Sequence, residues 1–188
     1  MCGIMALTQA VEALHAKKVI AYPTEAVYGL GCDPQSESAV SAIWQLKQRP
    51  AAMGLILIAG EWQQLIPYMA SLTAEQISRL QATWPGSMTW VVPAAPQVPL
   101  WLTGGRTTIA LRWSAHADVR ALCAAWGGAL VSTSANLHGQ SPCRSKDCVV
   151  DAFQDNPLFA GVVAGKLGDQ AQPTPIKDLI TDQWIRQT

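Results

Sequence analysis

Apolar residues recur along this chain with two periods, and the alternation between them sets the expected elements. Ala39, Val40, Ile43, Trp44 and Leu46 follow i, i+3, i+4, i+7 spacing behind Ser36, which can cap a helix that Pro50 ends. Thr8 is placed to cap a helix through about Lys18, with Ala10, Val11, Ala13 and Leu14 on its apolar side. Thr73-Ala74-Glu75-Gln76 is a capping box, opening a helix that runs to Trp84 ahead of Pro85-Gly86. From His116 to Trp126, Val119, Leu122, Cys123 and Trp126 share one face, and Gly127-Gly128 ends the helix. A last helix starts at Ser145 and reaches about Phe153.

Short apolar runs between these helices read as strands: Val19 to Tyr22 (stopped by Pro23), Leu55 to Ile58, Met88 to Val92, Thr107 to Arg112, Ala129 to Val131 and Leu158 to Val163. Gly165 to Pro175 reads as a loop, followed by short strands near Ile176 to Ile180 and Trp184 to Arg186. No repeat, low-complexity tract or linker interrupts the alternation. It predicts α/β architecture: one domain over 1–188, a twisted mixed sheet flanked by helices.

Composition narrows the function classes. Hydrophobic residues make up 49% and charged residues 14%, which excludes a disordered chain. Lys plus Arg and Asp plus Glu are 13 each, too even for a protein whose main work is coating nucleic acid, though a local basic patch stays open. The five cysteines, Cys2, Cys32, Cys123, Cys143 and Cys148, are scattered without a Cys-x-x-Cys pair. They read as free thiols of a reducing cytosol, with neither a disulfide framework nor a zinc site. The first residues lack a basic region before an apolar run, and no apolar stretch is long enough for a bilayer. The expected location is cytoplasmic, with no membrane partner. The eight tryptophans mostly sit among apolar neighbours and are expected in the core rather than as stacking platforms for bases.

Three segments carry chemistry. Pro23-Thr24-Glu25 leaves a buried strand directly, where open α/β sheets place ligand-binding groups, and Gly29 and Gly31 let backbone approach closely or take positive φ. Lys47 and Arg49 end the second helix, and Pro50 turns Arg49 out of the helical region, so both cations can converge on one polyanion. In Ser132-Thr133-Ser134-Ala135-Asn136 an extended chain puts Ser132, Ser134 and Asn136 on one side, a set of small groups suited to phosphate or carboxylate oxygens. A serine nucleophile at Ser134 with His138 as base is the rival reading; it lacks a G-x-S-x-G elbow and an orienting carboxylate. No Walker motif, dinucleotide fingerprint or metal-ligand spacing occurs, so any nucleotide site is of another kind.

Tyr-Pro-Thr-Glu-Ala-Val-Tyr-Gly-Leu-Gly (22–31), Lys-Gln-Arg-Pro (47–50), Trp-Pro-Gly-Ser-Met-Thr (84–89), Ile-Ala-Leu-Arg (109–112) and Ser-Thr-Ser-Ala-Asn (132–136) follow in the order of the YrdC/TsaC threonylcarbamoyl-AMP synthases. The chain resembles the short, single-domain bacterial form of that family over nearly its whole length. The resemblance implies a YrdC-like twisted sheet with a basic concave face. It implies synthesis of threonylcarbamoyl-AMP and pyrophosphate from L-threonine, bicarbonate or CO2, and ATP, with Mg2+ arriving on the ATP. Partner proteins then transfer the threonylcarbamoyl group to the adenosine beside the anticodon of tRNA.

By the same resemblance Lys47 and Arg49 are catalytic and contact ATP, with Thr108, Ser134, Asn136, Arg144 and Arg186 as further ATP contacts. Thr24, Arg112, Ser132 and Thr174 face the threonine portion. Ser87, the run Trp113-Ser114-Ala115-His116-Ala117, Pro175 and Lys177 depart from the family's pattern, in loop rigidity more than in charge. Such a reaction needs no covalent bond to the protein, only two anions brought together and charge offset on phosphoryl oxygens. Two alternatives compete: a non-catalytic RNA-binding module in RNA maturation, and a carbamoyl-adenylate enzyme of the hydrogenase-maturation type, whose additional zinc-finger and acylphosphatase segments this sequence lacks.

Overall fold

The computed structural model describes residues 3–48 and 55–187. Its strands are β1 (Gly3–Met5), β2 (Val19–Pro23), β3 (Tyr28–Gly31), β4 (Ile56–Ala59), β5 (Thr89–Pro93), β6 (Thr108–Trp113), β7 (Leu130–Ser134), β8 (Phe159–Val163), β9 (Ile176–Asp178) and β10 (Trp184–Arg186). Its helices are α1 (Leu7–His15), α2 (Glu37–Lys47), α3 (Ala74–Gln81), α4 (Leu100–Thr103), α5 (Ala117–Trp126) and α6 (Lys146–Phe153). All ten strands form one sheet in the order β1-β8-β2-β3-β7-β4-β6-β5-β9-β10. Parallel pairs such as β2/β8 and β4/β6 occur with antiparallel pairs such as β3/β7 and β5/β6, so the sheet is mixed as expected.

The strand period of two divides the core. Ile20, Tyr22, Ile58 and Leu130 pack with Ala10 and Leu14 of α1 and Val119 and Leu122 of α5. Val19, Ala21, Leu57 and Val131 join a larger cluster with Val40 and Ile43 of α2, Leu80 of α3 and Phe153 of α6. Trp84 and Trp90 are buried in that cluster, with Trp44, Trp62, Trp101 and Trp113 packed against it. Of the tryptophans only Trp184 is prominently exposed.

Helix starts follow the capping signals closely. Ser36 Oγ accepts from Ala39 N, Thr73 Oγ1 from Gln76 N, and Ser145 Oγ from Cys148 N. Thr8 does not cap α1. Gly3–Met5 is drawn into the sheet edge beside β8, so the helix begins at Leu7, with Gln9 Oε1 accepting from Ala6 N instead. The third helix stops at Gln81 rather than Trp84, and turns lead into Pro85, which restricts its predecessor. Within the described residues, α2 ends at Gln48 in the left-handed region (φ 50°).

The expectation of free thiols fails at one place. Cys143 and Cys148 form a disulfide, with Cα atoms 5.5 Å apart. Cys143 is pinned by Ala135 O and Tyr28 N, and the Ser145 cap turns the chain so that Cys148 in the first turn of α6 faces back toward it. Cys32 and Cys123 are free and buried. Among the described residues, no helix is long and apolar enough to cross a membrane.

Candidate functional site

One row of residues runs across five strands. Ser132 on β7 pairs with Ile56 on β4, Ile56 with Ala110 on β6, Ala110 with Val91 on β5, and Val91 with Asp178 on β9. All five line a cavity of about 590 Å³. Two residues along β6 in either direction, Thr108 and Arg112 line it as well, and Ser134 does so beside Gly29 at the β3/β7 register. The β2–β3 turn (Thr24, Ala26, Val27) and the tail (Thr174, Ile185, Arg186) complete the wall.

Arg112 is the most deeply buried cation of this wall. It is 5% exposed, its Nη1 donates to Thr174 Oγ1 at 2.8 Å, and its Nη2 lies 3.5 Å from Glu25 Oε2. Arg186 reaches the same segment from β10, donating from Nε and Nη2 to Thr174 O at 2.8 and 2.6 Å. Burial, and then the charge of Arg112, lower the Arg186 pKa. Two guanidinia thus converge on Thr174. Thr24 Oγ1 donates to Val27 O at 2.7 Å, which ties the turn and sets Thr24 close to Gly29 and Ser132.

Of the residues expected to bind ligands, Thr24, Arg112, Ser132 and Thr174, together with Thr108, Ser134 and Arg186, line this one cavity. Lys47 lies behind it. The ammonium is buried and donates to Ser134 O at 2.5 Å, Asn136 O at 2.9 Å and Asn136 Oδ1 at 3.1 Å. Asn136 is spent on the same loop, accepting from Ser134 Oγ at 2.6 Å and donating to Leu137 O and Gln140 O. That bond commits the Ser134 proton to an amide oxygen, so the Ser134–His138 nucleophile pair is not formed. Arg144 points to the segment before Thr174, donating to Gln170 O and Ala171 O. Arg49 lies outside the described residues.

The glycine expectation changes in kind. Neither Gly29 nor Gly31 takes positive φ among the described residues. A Cβ on Gly31 would meet Tyr22 Cε1 at 2.6 Å and Val131 O at 2.7 Å, so the close approach there is strand against strand.

Sequence reasoning missed Arg106 and Asp178, both in the wall. Arg106 is in phase with Thr108, Ala110 and Arg112, and that period of two was the available signal; Asp178 follows Ile176 in the same way. With Arg106, Arg112 and Arg186 against Asp178, whose Oδ1 accepts from Ile180 N and Thr181 N, the wall is cationic and suited to an anion. Among the described residues no group of three or more His, Cys, Asp or Glu could hold a metal ion.

A family model covering the Sua5, YciO and YrdC proteins, described as "Telomere recombination", matches residues 12–187. A threonylcarbamoyl-AMP synthase of Yersinia enterocolitica is 49% identical over 185 residues, 97% of this chain and 95% of that one. One of Vibrio vulnificus is 46% identical over 183 residues, 96% of this chain and 97% of that one. The crystal structure of P. abyssi Sua5 complexed with L-threonine superposes with a TM-score of 0.86 at 27% identity, over 95% of this chain but 54% of that longer one. E. coli YciO gives 0.84 at 25% identity, over 99% of this chain and 94% of that one. The chain therefore belongs to the Sua5/YciO/YrdC family.

Proposed function

We propose that this chain is an L-threonylcarbamoyl-AMP synthase, one catalytic domain over 1–188 that joins L-threonine, CO2 or bicarbonate, and ATP, and releases pyrophosphate. The observation that carries the reading is the cavity wall: a buried, anchored guanidinium (Arg112) among Thr24, Ser132 and Thr174, continuous with Thr108, Ser134, Arg106 and Arg186. The first set suits an amino acid with a carboxylate and a hydroxyl. The second suits a polyphosphate. The curated relatives carry this activity's name, and the related P. abyssi protein was solved with L-threonine.

The chemistry then follows from position. The threonine amine adds to CO2, losing a proton, and gives a carbamate. A carbamate oxygen attacks the α-phosphorus of ATP as the bond to the pyrophosphate oxygen breaks. The protein holds the two anions together and offsets charge on the phosphoryl oxygens, with no covalent intermediate. Lys47 acts by fixing the Ser134–Asn136 loop, and the role of Arg49 is to supply a further positive charge for ATP. Asn136 and Arg144 act through the same loop and the segment before Thr174. Mg2+ enters as part of the MgATP substrate; the one wall carboxylate among the described residues, Asp178, is engaged by backbone amides. The product leaves for partner proteins that modify tRNA in the cytoplasm.

The test is pyrophosphate release from ATP, with the product identified by mass. Release that needs both L-threonine and bicarbonate and yields the threonylcarbamoyl-AMP mass is expected. Folded protein that binds RNA in a salt-dependent way, without threonine-dependent ATP cleavage, overturns the reading.

A further inference from the structure

Glu25 is 8% exposed and belongs to none of the substrate contacts above. Its Oε1 accepts from Ser114 Oγ at 2.5 Å, and Ser114 Oγ in turn accepts from His116 N at 3.0 Å. Among the described residues its Oε2 is buried without a hydrogen bond, 3.5 Å from Arg112 Nη2. Arg112 Nε is likewise buried without a hydrogen-bond partner among the described residues. A carboxylate locked on one oxygen and left open on the other, beside a guanidinium only partly used, costs desolvation that its own hydrogen bonds do not repay. The arrangement makes sense as a support for the guanidinium.

The support is needed because Arg112 has a like-charged neighbour. Arg186 also donates to Thr174, so two like charges meet on one residue. Without Glu25, the repulsion would turn Arg112 away from the wall. The loop that carries Glu25 is itself pinned, since Gly168 N donates to Thr24 O at 2.9 Å and Gln170 N to Glu25 O at 3.1 Å.

We propose that Glu25, locked by Ser114, is a positioning residue that aims the Arg112 guanidinium at the substrate carboxylate, and so sets affinity for the amino acid but not for ATP. The proposal rests on the reading of Arg112 as the threonine-carboxylate contact. Calorimetric titration of L-threonine, and separately of ATP, into native protein and the Glu25→Gln, Ser114→Ala and Ser114→Thr variants tests it. Expected is about tenfold weaker threonine binding in Glu25→Gln, about threefold in Ser114→Ala, recovery to within about twofold in Ser114→Thr, and ATP binding within about twofold throughout.

Threonine affinity unchanged in Glu25→Gln, or threonine and ATP weakened alike as a merely structural role would do, overturns the proposal. If Glu25→Gln does not fold, Ser114→Ala decides by the same criterion. Native protein that binds threonine yet releases no pyrophosphate sinks the synthase reading alone. Normal turnover with unchanged threonine affinity in Glu25→Gln sinks the Glu25 role alone.

Discussion

Lys47 is a buried cation that holds one loop of the cavity wall. Its amine is held by three oxygens of the 134–136 loop, and that loop carries the Ser134 hydroxyl into the cavity wall. Lys47→Met withdraws those donors from partly buried acceptors. The expected loss is about 1–3 kcal/mol in urea unfolding, together with most of the turnover. Near-native pyrophosphate release from a folded Lys47→Met protein would remove Lys47 from the mechanism. The buried thiols behave oppositely: burial pushes Cys123 up to about 12, and raises Cys32 as well. Both therefore stay protonated near neutrality, and neither should react with iodoacetamide at pH 8 until the chain is unfolded. Prompt labelling of either in the native protein would contradict the burial described.

At the scale of elements, the strap between β8 and β9 makes a second kind of prediction. Gly168 lies flat on the Glu25 backbone, and a Cβ there would stand 2.7 Å from Glu25 O and 2.9 Å from its Cα. Gly168→Ala must lift the strap or shift the Thr24–Glu25 turn, because backbone cannot yield as a side-chain tip does. Threonine binding should weaken with the fold retained, and unchanged affinity would show that the strap does not set the turn. The disulfide belongs to this scale too. A non-reducing peptide map should link Cys143 to Cys148, and in the chain-entropy view a loop this short contributes about 2 kcal/mol. Elements with their own local signals were legible from sequence: helices opened by Ser36, Thr73 and Ser145, and apolar strands in the middle of the sheet. β1 and β3 were not, because Gly3–Met5 and Tyr28–Gly31 are strands only through what pairs with them. The position of Lys47 was hidden for the same reason: the oxygens that hold it are 87 and 89 residues away in sequence. Thr24 and Ser132 could be placed because a strand end and the strand period fix them locally, whereas Arg112 was reached only through the family resemblance. The Cys143–Cys148 pair escaped because its spacing is ordinary until the Ser145 cap turns the chain.

Considered whole, the molecule has a net charge of zero but gathers Arg106, Arg112 and Arg186 on one wall built from strands spread across the sheet. No part of that cavity survives if the sheet opens, so a ligand that fills it must stabilise the fold against global unfolding by mass action. At a hundred times its dissociation constant, L-threonine should add about 2.7 kcal/mol, or about 5–10 °C in melting temperature for a chain of this size. The shift should vanish in Arg112→Ala if the carboxylate is read there. L-Valine has nearly the shape of threonine, with a methyl in place of the hydroxyl. The hydroxyls of Thr24, Ser132 and Thr174 line the same cavity as Arg112 in buried positions, and an apolar methyl offers them no hydrogen bond where the threonine hydroxyl would. Valine at the same concentration should therefore give little or no shift. Equal shifts from the two amino acids would mean that carboxylate and amine alone are recognised, and that these three hydroxyls serve the fold rather than the choice of substrate.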